Sequence, residues 1–148
     1  MKNLEYITGD IESPLAKVKM DIHEIPFEEN TFDVIFCNHV LEHVNDDIKS
    51  ISEIQRVLKP GGWAILQVPF FFPLPEETIE DATITDPRER ERLYGQDDHV
   101  RKYGKDYAKR LGSTGLKVLE ENFVKELSPE IQKKYALPEN EIIYRVVK

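Results

Sequence analysis

The sequence predicts an α/β fold built on parallel β-strands, and three consecutive stretches carry that prediction. Residues 32–37 (FDVIFC) are β-branched and aromatic with little polarity, which is typical of a parallel strand buried on both faces. Residues 45–58 follow with helix-capping side chains and then apolar side chains at helical spacing. Residues 63–68 (WAILQV) are a second apolar run of strand length. Strand, helix and strand in this order predict a βαβ unit.

The helix of this unit has recognisable ends. Asn45, Asp46 and Asp47 offer capping side chains and place negative charge at the positive end of the helix dipole. One apolar stripe follows at helical spacing: Ile48, Ile51, Ile54 and Leu58. The helix is expected to end at residues 59–62 (KPGG), because proline cannot continue the hydrogen-bond ladder and glycine permits the turn. The second strand should then begin at Trp63.

Shorter elements are predicted on both sides of this unit. Strands are expected at 4–8, 16–20, 116–123 and 142–147, and helices at 105–111 and 129–135. After Pro69 the chain leaves regular structure for a stretch that is long for an idle connection. The charged run at 89–92 within it is interpreted as a solvated face. At 148 residues the chain suits a single domain.

Composition narrows the classes of function. The formal net charge of −8 argues against a nucleic-acid surface and favours a small-molecule ligand. Cys37 is the only cysteine, so no intrachain disulfide forms, and its apolar strand predicts a buried, inert thiol. The sequence MKNLEYITGD has no apolar signal region, and the apolar run 63–75 is short and interrupted. These features predict a cytoplasmic protein with no membrane association.

Two ordered blocks carry a family resemblance. IPFEENTFDVIFCNHVLEHV (25–44) and RVLKPGGWAILQVP (56–69) resemble class I S-adenosylmethionine-dependent methyltransferases of the type 11 branch. The resemblance implies a Rossmann-like sheet of seven strands, ordered 3-2-1-4-5-7-6 with an antiparallel last strand. It also implies binding of S-adenosyl-L-methionine and transfer of its methyl group to an acceptor. Residues 84–104 resemble a block of one bacterial and archaeal subset, so residues 70–104 are expected to form an ordered, lid-like insertion over the acceptor pocket.

The resemblance also implies a set of cofactor-binding residues. The stretch 4–8 corresponds to family strand 2, and Asp10 after it would accept hydrogen bonds from the ribose hydroxyls. A plain turn aspartate is the alternative for Asp10, since Gly-Asp pairs are common in turns. Asp21, after family strand 3, would face the adenine amine, and Ile22 would contact the base. Asn38 and His39 follow family strand 4, at the carboxyl end where ligands bind in open α/β sheets.

The remaining histidines allow more than one interpretation. Residues 39–43 read H-x-x-E-H, the zinc motif of inverted metalloproteases. We predict no metal there, because these residues fall in the connection after a strand and not on one regular helix. His43 is expected to pack between that strand and the following helix. His99 is the candidate catalytic acid or base, and its alternative is a structural residue that pins the lid.

One family feature is absent from the sequence. In the family, strand 1 ends in a G-x-G-x-G loop and a helix leads on to strand 2, whereas here Gly9 stands alone and the next glycines are Gly61 and Gly62. The predicted fold is therefore truncated, with residues 1–148 forming a single incomplete methyltransferase domain. Loss of two charge-assisted bonds of about 1.5–3 kcal/mol each would lower cofactor affinity roughly 10²- to 10⁴-fold. We therefore expect cofactor binding to be weakened or lost.

Without family strand 1, family strand 4 would have an unpaired edge in the middle of the sheet. An open apolar edge invites another strand. Either family strand 2 pairs directly with family strand 4, or a second chain, as a homodimer or a partner, covers that edge. Two functions are expected from these features: methyl transfer to a small molecule, or a noncatalytic binding or scaffold role. A fragment that needs a partner chain is the third possibility.

Overall fold

The computed structural model describes residues 4–148. The strands in chain order are β1 (Gly9–Asp10), β2 (Val18–Lys19), β3 (Phe32–Asn38), β4 (Leu58–Gln67), β5 (Ile79–Glu80), β6 (Arg101–Lys102), β7 (Lys117–Glu121) and β8 (Ile143–Val147). The helices are α1 (Asp47–Val57), α2 (Pro87–Tyr94), α3 (Tyr107–Gly112) and α4 (Pro129–Lys134), with a 3-10 turn at Phe123–Glu126. Among these described helices, none has the length and apolar character that a membrane span requires.

A four-stranded mixed sheet lies at the centre of the fold, in the order β3-β4-β8-β7. Strands β3 and β4 are parallel, and β8 runs antiparallel to both of its neighbours. This order confirms the predicted α/β class, the βαβ unit and the antiparallel last strand, because it reproduces the family order 4-5-7-6. Strands β1 and β2 form a separate parallel pair, and β5 and β6 form an antiparallel pair.

Helix α1 begins as predicted and ends earlier. The Asp46 side chain accepts a hydrogen bond from the Lys49 N–H at 2.8 Å and caps the first turn. The helix stops at Val57, and Leu58 already belongs to β4, so the prediction that this strand begins at Trp63 was wrong. Leu58 pairs with Phe32 and Trp63 pairs with Val34, so the KPGG residues between them form an irregularity in the pairing with β3. Gly61 and Gly62 instead exchange backbone hydrogen bonds with Lys148.

The core lies between α1, α3 and one face of the sheet. Its fully buried aliphatic members include Leu41, Ile51, Ile54, Leu66, Leu111 and Val146. An aromatic group completes it, since Tyr103, Tyr107 and Tyr144 pack edge-on at centroid distances of 4.7 and 4.9 Å. The Tyr107 hydroxyl donates to the Leu66 carbonyl at 3.0 Å, which ties α3 to β4.

Strand β3 is covered on one face only, contrary to the prediction. Cys37 is buried and Ile35 packs against the core, whereas the Phe36 side chain on the other face is 66% exposed. Phe36 contacts Trp63 edge-on at 5.8 Å, and Val34 is also exposed. Phe36 and Val34 lie on the face of β3 opposite the core, and β3 is also the terminal strand of its sheet within residues 4–148.

The N-terminal strands also differ from the prediction. Residues 4–8 are not a strand; β1 is confined to Gly9–Asp10 and pairs with β2. Direct pairing of this strand with β3 was therefore a wrong prediction. Cover of the β3 edge by a second chain stays a prediction. The segment 84–104 contains an unpredicted helix, α2, for which the capping Asp86 and the first-turn Pro87 were the available sequence signal.

Candidate functional site

A tight turn at residues 39–45 leaves the carboxyl end of β3. His39 opens it with a left-handed φ of 55° and donates its backbone N–H to the Gln67 carbonyl at 2.8 Å. A positive φ is uncommon outside glycine, so the surrounding contacts must hold this conformation. The His39 side chain is 61% exposed, and Asn38 beside it is exposed too. Both predicted residues therefore face solvent at the carboxyl end of β3.

Arg101 of β6 stabilises the turn by hydrogen bonds to its backbone carbonyls. Its guanidinium is 2% exposed and donates to the carbonyls of Leu41, Val44 and Asn45 at 2.5, 2.6 and 3.1 Å. The Val100 N–H adds a bond to the Glu42 carbonyl at 2.9 Å. Segment 99–103 is thus fastened directly to the turn. Sequence reasoning missed this role of Arg101, because nothing local in an Arg-Lys pair marks a residue that caps carbonyls 56 to 60 positions away.

A buried ion-pair network continues from Arg101 to the start of α1. Arg101 Nε donates to Glu80 at 2.9 Å, and the guanidinium of Arg110 in α3 donates to Asp47 at 2.7 and 3.0 Å. The Tyr103 hydroxyl also donates to Asp47, at 2.9 Å. Burial disfavours the Asp47 charge, but the hydrogen bonds from Arg110 and the two nearby guanidinium charges outweigh it and lower the pKa of Asp47. The segment 70–104 and α3 are therefore joined electrostatically to α1.

Three titratable side chains meet beside this network: Glu42, His43 and His99. The Glu42 carboxylate is 1% exposed and the His99 ring 3% exposed. The His43 and His99 rings pack edge-on with centroids 4.8 Å apart. His43 Nδ1 lies 3.1 Å from Asp98 Oδ2, so this polar contact joins the turn to segment 70–104. The prediction had been that His43 joins β3 to α1. The sequence indicated Glu42 and His43 as neighbours in the turn, but only the tertiary structure shows that His99 lies beside them.

Asp10 takes part in a turn immediately after β1. Its Oδ1 accepts the backbone N–H groups of Glu12 and Ser13, both at 2.8 Å. These hydrogen bonds, with that of Ser13 the stronger influence, lower the pKa of Asp10. The turn role left open by the sequence is thus present, and it engages only one of the two carboxylate oxygens.

Asp21 is held in place by His23. Its Oδ1 accepts the His23 backbone N–H at 2.9 Å and lies 2.6 Å from His23 Nδ1. Both hydrogen bonds, the backbone one first, lower the pKa of Asp21. His23 Nε2 in turn accepts the Asp46 N–H at 3.3 Å, so its proton resides on Nδ1. His23, a residue that sequence reasoning did not select, therefore links the carboxyl end of β2 to the capping residue of α1.

The predicted cofactor residues are only partly brought together. The His23 link places Asp21 and the partly buried Ile22 beside the start of α1, which follows the carboxyl end of β3. Asn38 and His39 lie at that same end. Asp10 joins this group through the β1–β2 pairing, in which Asp10 is opposite Lys19. Strand ends with two carboxylates and exposed polar side chains are suited to binding a polar ligand with hydroxyl and amino groups.

Comparison with known proteins finds a match for part of the chain. Residues 2–66 match the family model described as a methyltransferase domain. This match covers less than half of the chain. The matched residues contain β1, β2, β3, α1 and nearly all of β4, and therefore all the predicted cofactor-binding residues.

Similar sequences have diverse acceptors. The chain is 45% identical over 49 residues to the ubiquinone/menaquinone biosynthesis C-methyltransferase of Idiomarina loihiensis, covering 33% of this chain and 20% of that protein. It is 39% identical over 62 residues to the tRNA U34 carboxymethyltransferase of Nautilia profundicola, covering 42% of this chain and 21% of that protein. Both alignments span about a fifth of the curated relatives' own length.

A solved structure shares the fold. The S-adenosylmethionine-dependent methyltransferase of Mesorhizobium loti superposes with a TM-score of 0.52 at 15% identity. The superposition covers 92% of this chain and 72% of that structure. The central sheet of this chain thus has the Rossmann-like fold of that structure.

Proposed function

We propose that the chain binds S-adenosyl-L-methionine at the carboxyl ends of β1, β2 and β3 and takes part in methyl transfer to a small-molecule acceptor. The observation that carries this proposal is the His23 bridge, which holds Asp21 at 2.6 Å and contacts the start of α1 at 3.3 Å. The bridge fixes one carboxylate beside the strand ends where α/β sheets bind ligands.

Each proposed contact follows from the chemistry of the residue. The Asp10 oxygen that the turn leaves free would accept ribose hydroxyls, and the second oxygen of Asp21 would accept the adenine amine. Ile22 would pack on the base, and Asn38 and His39 would face the methionine half. Methyl transfer itself needs mainly alignment of acceptor, methyl carbon and sulfur, since the sulfonium is already a good leaving group. The protein's task would be positioning.

The segment 70–104 is proposed to form one wall of the acceptor site. Its bonds to the turn after β3 hold it next to His39, which supports a lid that is ordered before ligand binds. The 3% exposure of His99 supports its structural alternative, because a proton-transfer residue needs contact with the acceptor. We accordingly propose that His99 organises the turn and does not act as the catalytic acid or base.

A small-molecule acceptor is favoured over RNA by charge. The formal net charge of −8 opposes the clustered cations that phosphate binding needs, although one relative is named for a tRNA substrate. A cytoplasmic location is proposed on the same composition.

A noncatalytic role, or a site completed by a second chain, is the alternative function. The observation that favours it is the outer edge of β3, which has no strand partner within residues 4–148 and carries the 66% exposed Phe36. A homodimer and a complex with another polypeptide differ in mass. Light scattering of the purified chain, in the presence and absence of cofactor, distinguishes a homodimer from a monomer. A complex with another polypeptide is tested by adding that polypeptide to the chain.

Calorimetric titration with S-adenosylhomocysteine tests the proposed function. We expect binding in the micromolar to high-micromolar range for the unaltered chain, and at least about tenfold weaker binding for Asp21→Ala, the loss of one charge-assisted hydrogen bond. Asp33→Ala is the matched control, because Asp33 lies at the opposite end of β3 in an exposed pair with Lys59 at 2.8 Å. Its affinity should be unchanged.

The same titration distinguishes a cofactor-binding methyltransferase from a noncatalytic or partner-dependent chain. Absence of binding up to millimolar ligand would exclude cofactor binding by this chain alone and favour the scaffold or partner alternative. Equal affinities of the unaltered chain and Asp21→Ala would remove Asp21 from the site while leaving the methyltransferase proposal in place.

A further inference from the structure

We propose that Glu42, His43 and His99 form a site for one divalent first-row transition-metal ion, with Zn²⁺ preferred. This inference stands independently of cofactor binding and methyl transfer. One potential ligand atom from each of the three residues lies within 4.8 Å of the other two. Glu42 and His43 come from the turn after β3, and His99 comes from the segment 70–104.

The spacing is close to that of a formed site. Zinc bonds of about 2.1 Å place tetrahedral ligand atoms roughly 3.4 Å apart. His43 Nε2 already lies 3.8 Å from Glu42 Oε1. To bring all three ligand atoms to the spacing of a zinc site, the side chains must move by about 1 Å. The His43 ring, which is 32% exposed, has room for this movement. The backbone of the turn is fixed by Arg101 and does not need to move.

Each histidine already directs its second nitrogen at an acceptor. His43 Nδ1 faces Asp98 Oδ2 at 3.1 Å, and His99 Nδ1 faces the Tyr94 carbonyl at 3.3 Å. These contacts favour the tautomer with the proton on Nδ1 and leave each Nε2 with a free lone pair. Metal-binding histidines almost always have such a carboxylate or carbonyl partner, which orients the ring and raises its basicity. Each ring thus has Nε2 as the nitrogen available to a metal ion.

Glu42 supplies the independent indication that a ligand is required. Its Oε2 is buried and has no hydrogen-bond partner among the described residues. An unpartnered carboxylate oxygen in the interior is costly, and a bound cation would satisfy it. The neighbouring cation Arg101 does not do so, because its donors are directed at turn carbonyls and at Glu80. A metal ion accounts for both the buried carboxylate and the two oriented imidazoles.

The ligand types indicate which ion the site prefers. Two imidazoles and one carboxylate suit Zn²⁺ and Co²⁺, whereas Mg²⁺ and Ca²⁺ prefer oxygen ligands. The geometry of this site differs from the inverted-protease motif, since residues 39–43 form a turn and the decisive ligand is 56 residues beyond His43. The prediction of no metal from the local motif alone is replaced by this proposal.

The test uses the full chain, freed of any histidine tag and dialysed against chelator. Zn²⁺ titration by calorimetry should give one ion per chain, and Co²⁺ should give the visible absorption of a low-symmetry nitrogen and oxygen site. His43→Asn should weaken Zn²⁺ binding by more than about 100-fold as a lost ligand, and Asp98→Asn by about 10- to 100-fold as a lost ring partner. His23→Asn is the matched control, because His23 belongs to the Asp21 contact, and it should bind Zn²⁺ normally.

A second measurement avoids dependence on folded variants. Nitrogen-15 spectra of the unaltered chain resolve the side chains of all four histidines. On addition of Zn²⁺, the Nε2 resonances of His43 and His99 should shift to metal-bound positions while those of His23 stay in place. The proposal is overturned if no saturable Zn²⁺ binding occurs, if His43→Asn binds as tightly as the unaltered chain, or if the shifts fall on His23.

Discussion

Replacing Arg101 by methionine should destabilise the chain more than any exposed charge change. The substitution keeps most of the side-chain volume but removes the donors to the Leu41, Val44 and Asn45 carbonyls and to Glu80. The consequence falls on the turn after β3, which carries Asn38, His39 and the cluster of Glu42, His43 and His99.

The expected loss in the free energy of unfolding depends on which carbonyl and carboxylate oxygens lose a hydrogen-bond donor that nothing else replaces. The Leu41 carbonyl keeps the Tyr103 hydroxyl at 3.1 Å, and Asp47 keeps Arg110 at 2.7 Å. The Val44 and Asn45 carbonyls lose charge-assisted bonds of about 1.5–3 kcal/mol each. Removing one partner of a buried ion pair costs about 3–5 kcal/mol. Partial access of water to Asn45, which is exposed, favours the lower half of that range.

Urea unfolding followed by the fluorescence of Trp63, the single tryptophan, measures the effect. We expect the free energy of unfolding to fall by about 3–4 kcal/mol for Arg101→Met. Arg92→Met is the control, because Arg92 is exposed and its 3.7 Å pair with Glu89 is a surface contact worth at most about 1 kcal/mol. A loss below about 1 kcal/mol for Arg101→Met, at unchanged m-value, would refute the role of Arg101 in holding the turn.

Three further perturbations test the packing around the site. The pKa of Asp47 is lower in the folded chain than in the unfolded chain, so as the pH falls the unfolded chain binds a proton at this carboxylate first. The contribution of Asp47 to the free energy of unfolding is therefore fully present above the ordinary aspartate pKa of about 3.9 and is lost as the pH falls below it. The stability of Asp47→Asn should therefore vary less with pH in that acidic window. Burial raises the pKa of Cys37 to about 12, so a thiol reagent at pH 8 should modify the folded chain at least about 100-fold more slowly than the chain in urea. Gly104→Ala should lower the free energy of unfolding by about 1–3 kcal/mol, because its methyl group would lie 2.6 Å from the Glu77 carbonyl carbon.

Each of these expectations has an opposing outcome. Parallel pH profiles for Asp47→Asn and the unaltered chain would show that the Arg110 pair contributes little. Equal modification rates with and without urea would place Cys37 at the surface. Gly112→Ala is the control for Gly104→Ala, since its methyl group would meet only Val118 at an ordinary 3.6 Å. Equal stability of the two alanine variants would mean that the 75–77 backbone yields to the added methyl group.

Most of the sheet was predictable because local patterns and tertiary packing agree there. The apolar run at 32–37, the caps at Asn45 to Asp47 and the apolar run at 63–68 each specify their own element, and parallel pairing follows from the helix between the strands. The beginning of β4 was predicted too late, because Leu58 already pairs with Phe32, and the KPGG irregularity that follows hides this pair from the sequence pattern. The short β1 was misplaced because two-residue strands depend on their partner and have little pattern of their own.

The antiparallel last strand was implied only by the family resemblance. The sequence by itself determined the α/β class, the βαβ unit and the polar residues that follow each strand. These properties are readable because they depend on hydrophobic periodicity and capping chemistry within a few residues. Only the tertiary structure determined that Arg101 caps the turn, that His23 bridges Asp21 to α1, and that His99 meets Glu42 and His43. Such contacts join residues 23 to 60 positions apart. The contacts of Arg101 and His99 depend on how the segment 70–104 packs against the turn after β3, and the contact of His23 depends on how the end of β2 packs against α1. No local pattern records that packing.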